Sequence, residues 1–178
     1  MDTKTLFGAL LVAGVLGGFA INGFFMDDES LEDNIADVKV GSEAPDFALR
    51  DSKGNSFNLS DFENEKVVVL EFFNMGCGSC HSFEKDVLKS YCNSTTMPED
   101  VEVISLTQTE DVSQEDLEER AEGKNWAYVF GSEEMTDAFG ADRSPSIVII
   151  DKDGIVTFSE SGPMTESELK EKVDEALE

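Results

Sequence analysis

The chain holds one histidine, three cysteines, and 13 lysines and arginines against 39 acidic side chains. Each scarcity removes a class of function. A single histidine excludes any site that needs two. Three cysteines cannot build the dense disulfide framework of a small secreted scaffold, so their spacing has to be read for chemistry. A formal charge of −26 leaves no basic face to neutralise phosphates, so a nucleic-acid backbone is excluded as a partner. It also argues against docking on an anionic lipid surface. No repeat at solenoid spacing is found. What is present is 178 residues, 40% of them apolar and 13 of them phenylalanine. That suffices for one domain core plus an appendage and excludes wholesale disorder. The acidity reads as a heavily solvated surface suited to salty surroundings.

Thr5 to Met26 is a run of 22 residues without a formal charge, preceded by Lys4 and followed by the acidic stretch DDESLEDNIADV. A helix of that length, at ~1.5 Å per residue, crosses a hydrocarbon core of ~30 Å. Residues 1–26 therefore read as a transmembrane signal anchor, with residues 5–26 in the bilayer. The basic end lies inside, and the C-terminal domain lies on the extracytoplasmic side. The rival is a cleaved signal peptide, with Gly18-Phe19-Ala20 as a small-x-small cleavage site. Residues 27–38 read as a tether extended by like-charge repulsion, and 39–178 as the folded domain. Both readings export it, the setting in which disulfide chemistry occurs.

Within the domain, Asp46–Leu49 and Ser56–Leu59 alternate polar and apolar residues around a Gly-Asn turn, an N-terminal β-hairpin. Val67–Phe73 is an apolar run with one acid inside it, the pattern of a central strand buried on both faces. The spacing predicts a helix over 80–92. Strands are expected at Val101–Leu106, Trp126–Phe130, Ser146–Ile150 and Ile155–Phe158, the last two joined by Asp-Lys-Asp-Gly. Shorter helices are expected after Ser113, over Glu133–Phe139, and over Thr165–Leu177 with Thr165 and Glu168 at its start. Strands alternating with helices and closing in a hairpin plus helix predict an α/β fold with a mixed sheet flanked by helices.

Cys77-Gly78-Ser79-Cys80-His81 joins the central strand to the next helix. There the first cysteine meets free N–H groups and the helix dipole, which stabilise a thiolate, and the second lies one turn on, close enough to close a disulfide with it. Glu71, inside the apolar strand, has two readings. Desolvation would raise its pKa and suit a proton shuttle, or it pairs with water or with Lys66. His81 is either an idle first-turn residue or, when charged, a support for the Cys77 thiolate. Cys92 lies ~18 Å along a continuous helix from Cys80, too far to bridge, and reads as a small buried hydrophobe.

The succession GSEAPDFALRDSKGNSFNLSDF, VVVLEFF, CGSC and RSPSIVI resembles the TlpA/ResA-type branch of the thioredoxin-like thiol–disulfide oxidoreductases, over about residues 40–178. The resemblance implies a thioredoxin-like fold. It also implies a redox-active Cys77–Cys80 disulfide, in which Cys77 exchanges with the substrate and Cys80 resolves. Glu71 would be the buried acid behind the second cysteine. Pro145 would be the cis-proline beside the disulfide, with Ser144 offering backbone to the substrate and Gly76 on the substrate-facing surface. Protein thiols or disulfides are the implied substrates, with a membrane or exported redox partner, no cofactor and no metal, and a reductase direction. Three positions depart from the pattern: Gly76 replaces the usual tryptophan, Ser79 the commoner proline, and Lys85 a kinking proline, so a straighter helix is expected.

Rivals from other classes remain. C-x-x-C-H also matches c-type haem attachment, which would make His81 an axial ligand and the protein an electron carrier. The β-rich context and the Ser-Pro before SIVII speak against it. A zinc site from Cys77, Cys80, His81 and Cys92 needs adjacent ligands to converge on one ion. A peroxiredoxin needs a Pro-x-x-x-Thr-x-x-Cys approach that Glu71 to Cys77 lacks. A non-catalytic tethered binding module is the remaining alternative.

Overall fold

Val67–Phe73 forms strand β3, and every residue in it is buried. Burial of both faces requires a cover of apolar side chains on each side of the sheet. The structure, a computed structural model, describes residues 38–109 and 111–178. The anchor at 1–26 and residues 27–37 of the tether lie outside the described residues. Among the described residues no helix is long and apolar enough to cross a membrane.

The remaining strands are β1 (Ala48–Asp51), β2 (Ser56–Asn58), β4 (Val101–Thr107), β5 (Ala127–Phe130), β6 (Ser146–Ile150) and β7 (Val156–Ser161). They form one mixed sheet in the order β2-β1-β5-β4-β3-β6-β7. β3 runs parallel to β4 and antiparallel to β6. The expected N-terminal hairpin is β1–β2, antiparallel with Leu49 opposite Phe57. It adds to the sheet through β5.

Side-chain alternation along β3 divides the interior into two cores. Val67, Val69 and Phe73 pack with Cys80, Phe83, Leu88, Leu117, Leu169 and Val173. Val68, Leu70 and Phe72 pack on the other face with Ile104, Val129, Met135, Phe139 and Val148. Glu71, between Val69 and Phe73, shares their face and so points to the side that carries the cysteine helix. On that face lie α1 (Gly78–Phe83), α2 (Lys89–Cys92), α3 (Gln114–Ala121) and α5 (Glu166–Ala176), and α4 (Glu133–Ala138) covers the other. Ser113 caps α3 by accepting from the Asp116 N–H. Thr165 and Glu168 form a capping box at α5.

The cysteine helix is not a uniform α-helix. Between α1 and α2 lies a π-helical turn, Glu84–Leu88, where the Lys89 N–H reaches back five residues to the Glu84 carbonyl. Phe83 and Glu84, where the π-helical turn begins, are only 2% and 1% exposed. Lys85 is exposed, so no proline is needed at this position to break the helix ladder.

Candidate active site

The C-terminal ends of the parallel strands β3 and β4 meet the first turn of α1 and the loop before β6. Cys77 is the N-cap of α1. Its sulfur accepts from the Cys80 N–H at 3.0 Å and lies 3.3 Å from Ser79 Oγ. Cys77 is partly exposed, whereas Cys80 is 0% exposed. The two are joined in a disulfide with Cα atoms 5.3 Å apart. One sulfur thus faces solvent and its partner lies beneath, because a helix start brings residues three apart onto one side. Gly78 and Ser79, both exposed, put no bulk over Cys77.

The Ser144–Pro145 peptide is cis. Pro145 is buried and its carbonyl accepts from the Gly162 N–H at 2.7 Å. Asn74 connects this loop to the cysteines: its carbonyl accepts from the Cys77 N–H at 3.1 Å and its Nδ2 donates to Ser144 Oγ at 2.9 Å. Gly76 is exposed, with no side chain there to contribute to a recognition surface.

Glu71 is 0% exposed. Its Oε2 accepts from Ser105 Oγ at 2.5 Å, and Ser105 in turn accepts from Trp126 Nε1 at 2.9 Å. Its Oε1 is buried with no hydrogen-bond partner among the described residues. Desolvation, reinforced by the Glu84 carboxylate, raises its pKa from 4.5 to about 8, against the opposing pull of Ser105, Arg120 and Lys124. Lys66 is not its partner: that ammonium reaches Glu102 at 2.6 Å.

A buried charge cluster supports the same face, and sequence reasoning missed it. Glu84 Oε1 accepts from Arg120 Nη2 at 2.6 Å and Oε2 from Lys124 Nζ at 2.6 Å. Arg120 also lies 5.0 Å from the Phe73 ring centroid. Its Nη1 donates to the His81 ring, 2.8 Å from Nδ1. A guanidinium donates only to a ring nitrogen with a free lone pair, so this contact favours the neutral imidazole. Partial desolvation and then the Arg120 charge hold its pKa below the ordinary 6.5. The reading in which a charged His81 supports the thiolate is not borne out. Cys92 is free, 9% exposed, and pushed up to about 12, chiefly by burial. It is an inert core residue. Nothing in the local sequence marks Glu84, Arg120 and Lys124 as an interior group.

This geometry does not suit haem attachment. Cys80 is fully buried beneath the sheet-facing side of α1, and His81 is engaged by Arg120. It suits reversible exchange of one disulfide: an accessible sulfur, a shielded sulfur and an acid with a raised pKa on the shielded side.

Comparison with known proteins agrees with the geometry. The Redoxin family matches residues 39–177. The thiol-disulfide oxidoreductase ResA of Bacillus cereus is 28% identical over 166 residues, covering 91% of this chain and 88% of the relative. ResA of Geobacillus kaustophilus is 30% identical over 142 residues, covering 77% and 78%. The thioredoxin domain of a thiol-disulfide oxidoreductase from Bacteroides vulgatus superposes with a TM-score of 0.64 at 23% identity, over 76% of this chain and 99% of that one. The chain belongs to the redoxin family, as a thioredoxin-like thiol–disulfide oxidoreductase of the ResA type.

Proposed function

We propose that this protein is a membrane-tethered, extracytoplasmic reductase of protein disulfides, with Cys77 as nucleophile, Cys80 as resolving thiol and Glu71 as proton carrier. In the reduced enzyme the Cys77 thiolate attacks one sulfur of a client disulfide. That S–S bond breaks, one client sulfur leaves as a thiolate, and Cys77 is left in a mixed disulfide. Cys80 then passes its proton to Glu71 and attacks Cys77 Sγ. The bond to the client breaks, the second client thiolate departs, and the Cys77–Cys80 disulfide remains. Two electrons have moved to the client, and a membrane or exported dithiol partner restores the reduced pair.

The observation that carries this reading is the asymmetric pair: a partly exposed Cys77 at the start of α1 and a fully buried Cys80 bonded to it. The pKa of Glu71, at about 8, lies near neutrality, where one carboxyl can both take and give a proton. The free Oε1 is the atom left to take the proton. By the resemblance, Pro145, Ser144 and Gly76 would shape the surface on which a client strand lies. The reductase direction rests on the resemblance to the ResA-type branch. The tether and the extracytoplasmic site rest on residues 5–26 and Lys4.

Cys80→Ser stops the cycle at the mixed disulfide, so client adducts should accumulate on Cys77 and disappear with added reductant. If no adduct forms and Cys77→Ser retains exchange activity, the reading is wrong. A reduction potential near ~−270 mV supports a reductase, and one near ~−120 mV would make the protein an oxidant instead.

A further inference from the structure

Ser144 does more than precede a cis-proline. Its hydroxyl accepts from Asn74 Nδ2 at 2.9 Å and donates to Gln108 Oε1. These two amides come from the ends of neighbouring parallel strands, Asn74 one residue past β3 and Gln108 one past β4. Gln108 is used at every polar atom of its side chain, since Nε2 also donates to the carbonyls of Ala141 and Arg143, the latter at 2.9 Å. Its backbone N–H donates to the Phe73 carbonyl at 2.8 Å. Asn74 in turn holds the Cys77 N–H. Two side-chain amides and one hydroxyl therefore tie together the cysteine loop, the end of β4 and the loop of residues 141–145.

We infer that Asn74 and Gln108 are positioning residues for client binding, acting through the Ser144 hydroxyl to hold the 143–145 backbone in register with Cys77. This rests on the proposed exchange reaction and adds the residues that set its substrate register. The physical reason is geometric. Gln108 is half-buried and Asn74 exposed, and the 141–145 segment has no strand of its own to fix it until β6 begins at Ser146. Its carbonyls at Ala141 and Arg143 are instead pinned by one amide, and the Ser144 hydroxyl is engaged both as donor and as acceptor. A client strand that pairs with this loop then meets a preset backbone and loses less conformational freedom on binding than one that must order it. Ser144, read from resemblance as a backbone contact, acquires a second use for its side chain.

The test compares two disulfide substrates of the full-length enzyme: the disulfides of insulin, which need a bound peptide segment, and a small aryl disulfide, which does not. Asn74→Ala, Gln108→Met and Ser144→Ala should each raise KM for insulin about fivefold or more, the scale of one lost hydrogen bond, with the aryl disulfide much less affected. Because Asn74 and Ser144 meet in one hydrogen bond, their double variant should be no worse than the worse single, and Gln108→Met, which also releases the Ala141 and Arg143 carbonyls, should be the largest single effect. Ser144→Thr, which keeps the hydroxyl, should restore KM. An unchanged KM for insulin in Asn74→Ala and Gln108→Met, both with normal unfolding midpoints, overturns the inference. So do strictly additive effects of Asn74→Ala and Ser144→Ala, or equal losses on both substrates, which would place the residues in the thiol chemistry itself. Failure of the proposed function is seen separately, as exchange that survives Cys77→Ser.

Discussion

In the proposed function Glu71 links stability to chemistry. In the unfolded chain a glutamate ionises near 4.5, and in the fold near about 8. Between those values the native state binds more protons than the unfolded state, so this group makes stability fall as pH rises across the window. Above about 8 the full cost of burying the carboxylate is present. Glu71→Gln has no proton to lose. In urea titrations it should match the parent near about pH 5 and exceed it by a few kcal/mol near about pH 9, at 1.36 kcal/mol per pKa unit. The same variant should slow resolution of the mixed disulfide roughly 10²-fold and flatten its pH dependence. Lower stability at all pH values with unchanged rates would show an ion-pair role instead. Glu84 gives the complementary case. It is 1% exposed and balances both Arg120 and Lys124, so Glu84→Gln leaves two buried cations underpaired. Denaturant titration should register a loss of about 3 kcal/mol. The extra positive charge beside Glu71 should also move the pH inflection of resolution downward, whereas Lys124→Met should move it upward.

At the scale of elements, what matters is how closely backbones approach around the site. A Cβ added at Gly131, which follows β5, would sit 1.8 Å from the Thr107 carbonyl oxygen at the end of β4. The Gly131 N–H also donates to Thr107 Oγ1 at 3.0 Å. No side-chain movement relieves a clash with main chain, so Gly131→Ala must spread β4 from β5 next to Gln108. A loss of about 2 kcal/mol or more is expected, with a lower denaturant midpoint. The α5 cap is a milder case. Thr165→Ala removes the acceptor for the Glu168 N–H and should cost about 1 kcal/mol. Exchange kinetics should be unaltered, because α5 contributes to the core through Leu169 and Val173 and not to the site.

The whole molecule carries −26 on a small fold, and its described ion pairs are few and mostly exposed. Self-repulsion in such a chain weakens as salt shortens the Debye length from ~10 Å at about 0.1 M to ~3 Å at about 1 M. The thermal midpoint should therefore rise with sodium chloride, and a fall would show that attractive pairs dominate. The proposed tether has its own test. The full chain should sediment with membranes, resist extraction by high salt and release with detergent. Protease added outside intact cells should digest the 39–178 domain, and a protected domain would reverse the proposed orientation.

The redox site was legible in the sequence because its information is local. Two cysteines three apart at the start of a helix and an acid inside an apolar strand carry their chemistry in neighbours along the chain, whereas the cis-proline ahead of SIVII is read from the family resemblance. Strand and helix periods placed most elements within a residue or two, and Ser113 and Thr165 cap the helices they precede. Tertiary structure alone decided which charges are interior. Glu84 meets Arg120 and Lys124 across 36 and 40 positions, and no local pattern marks the three as partners. It alone paired Asn74 with Ser144, 70 positions away, and placed Arg120 against His81. Such pairs depend on sheet order and on which face each strand residue takes. The strand pattern constrains the face, but only packing brings the partners together.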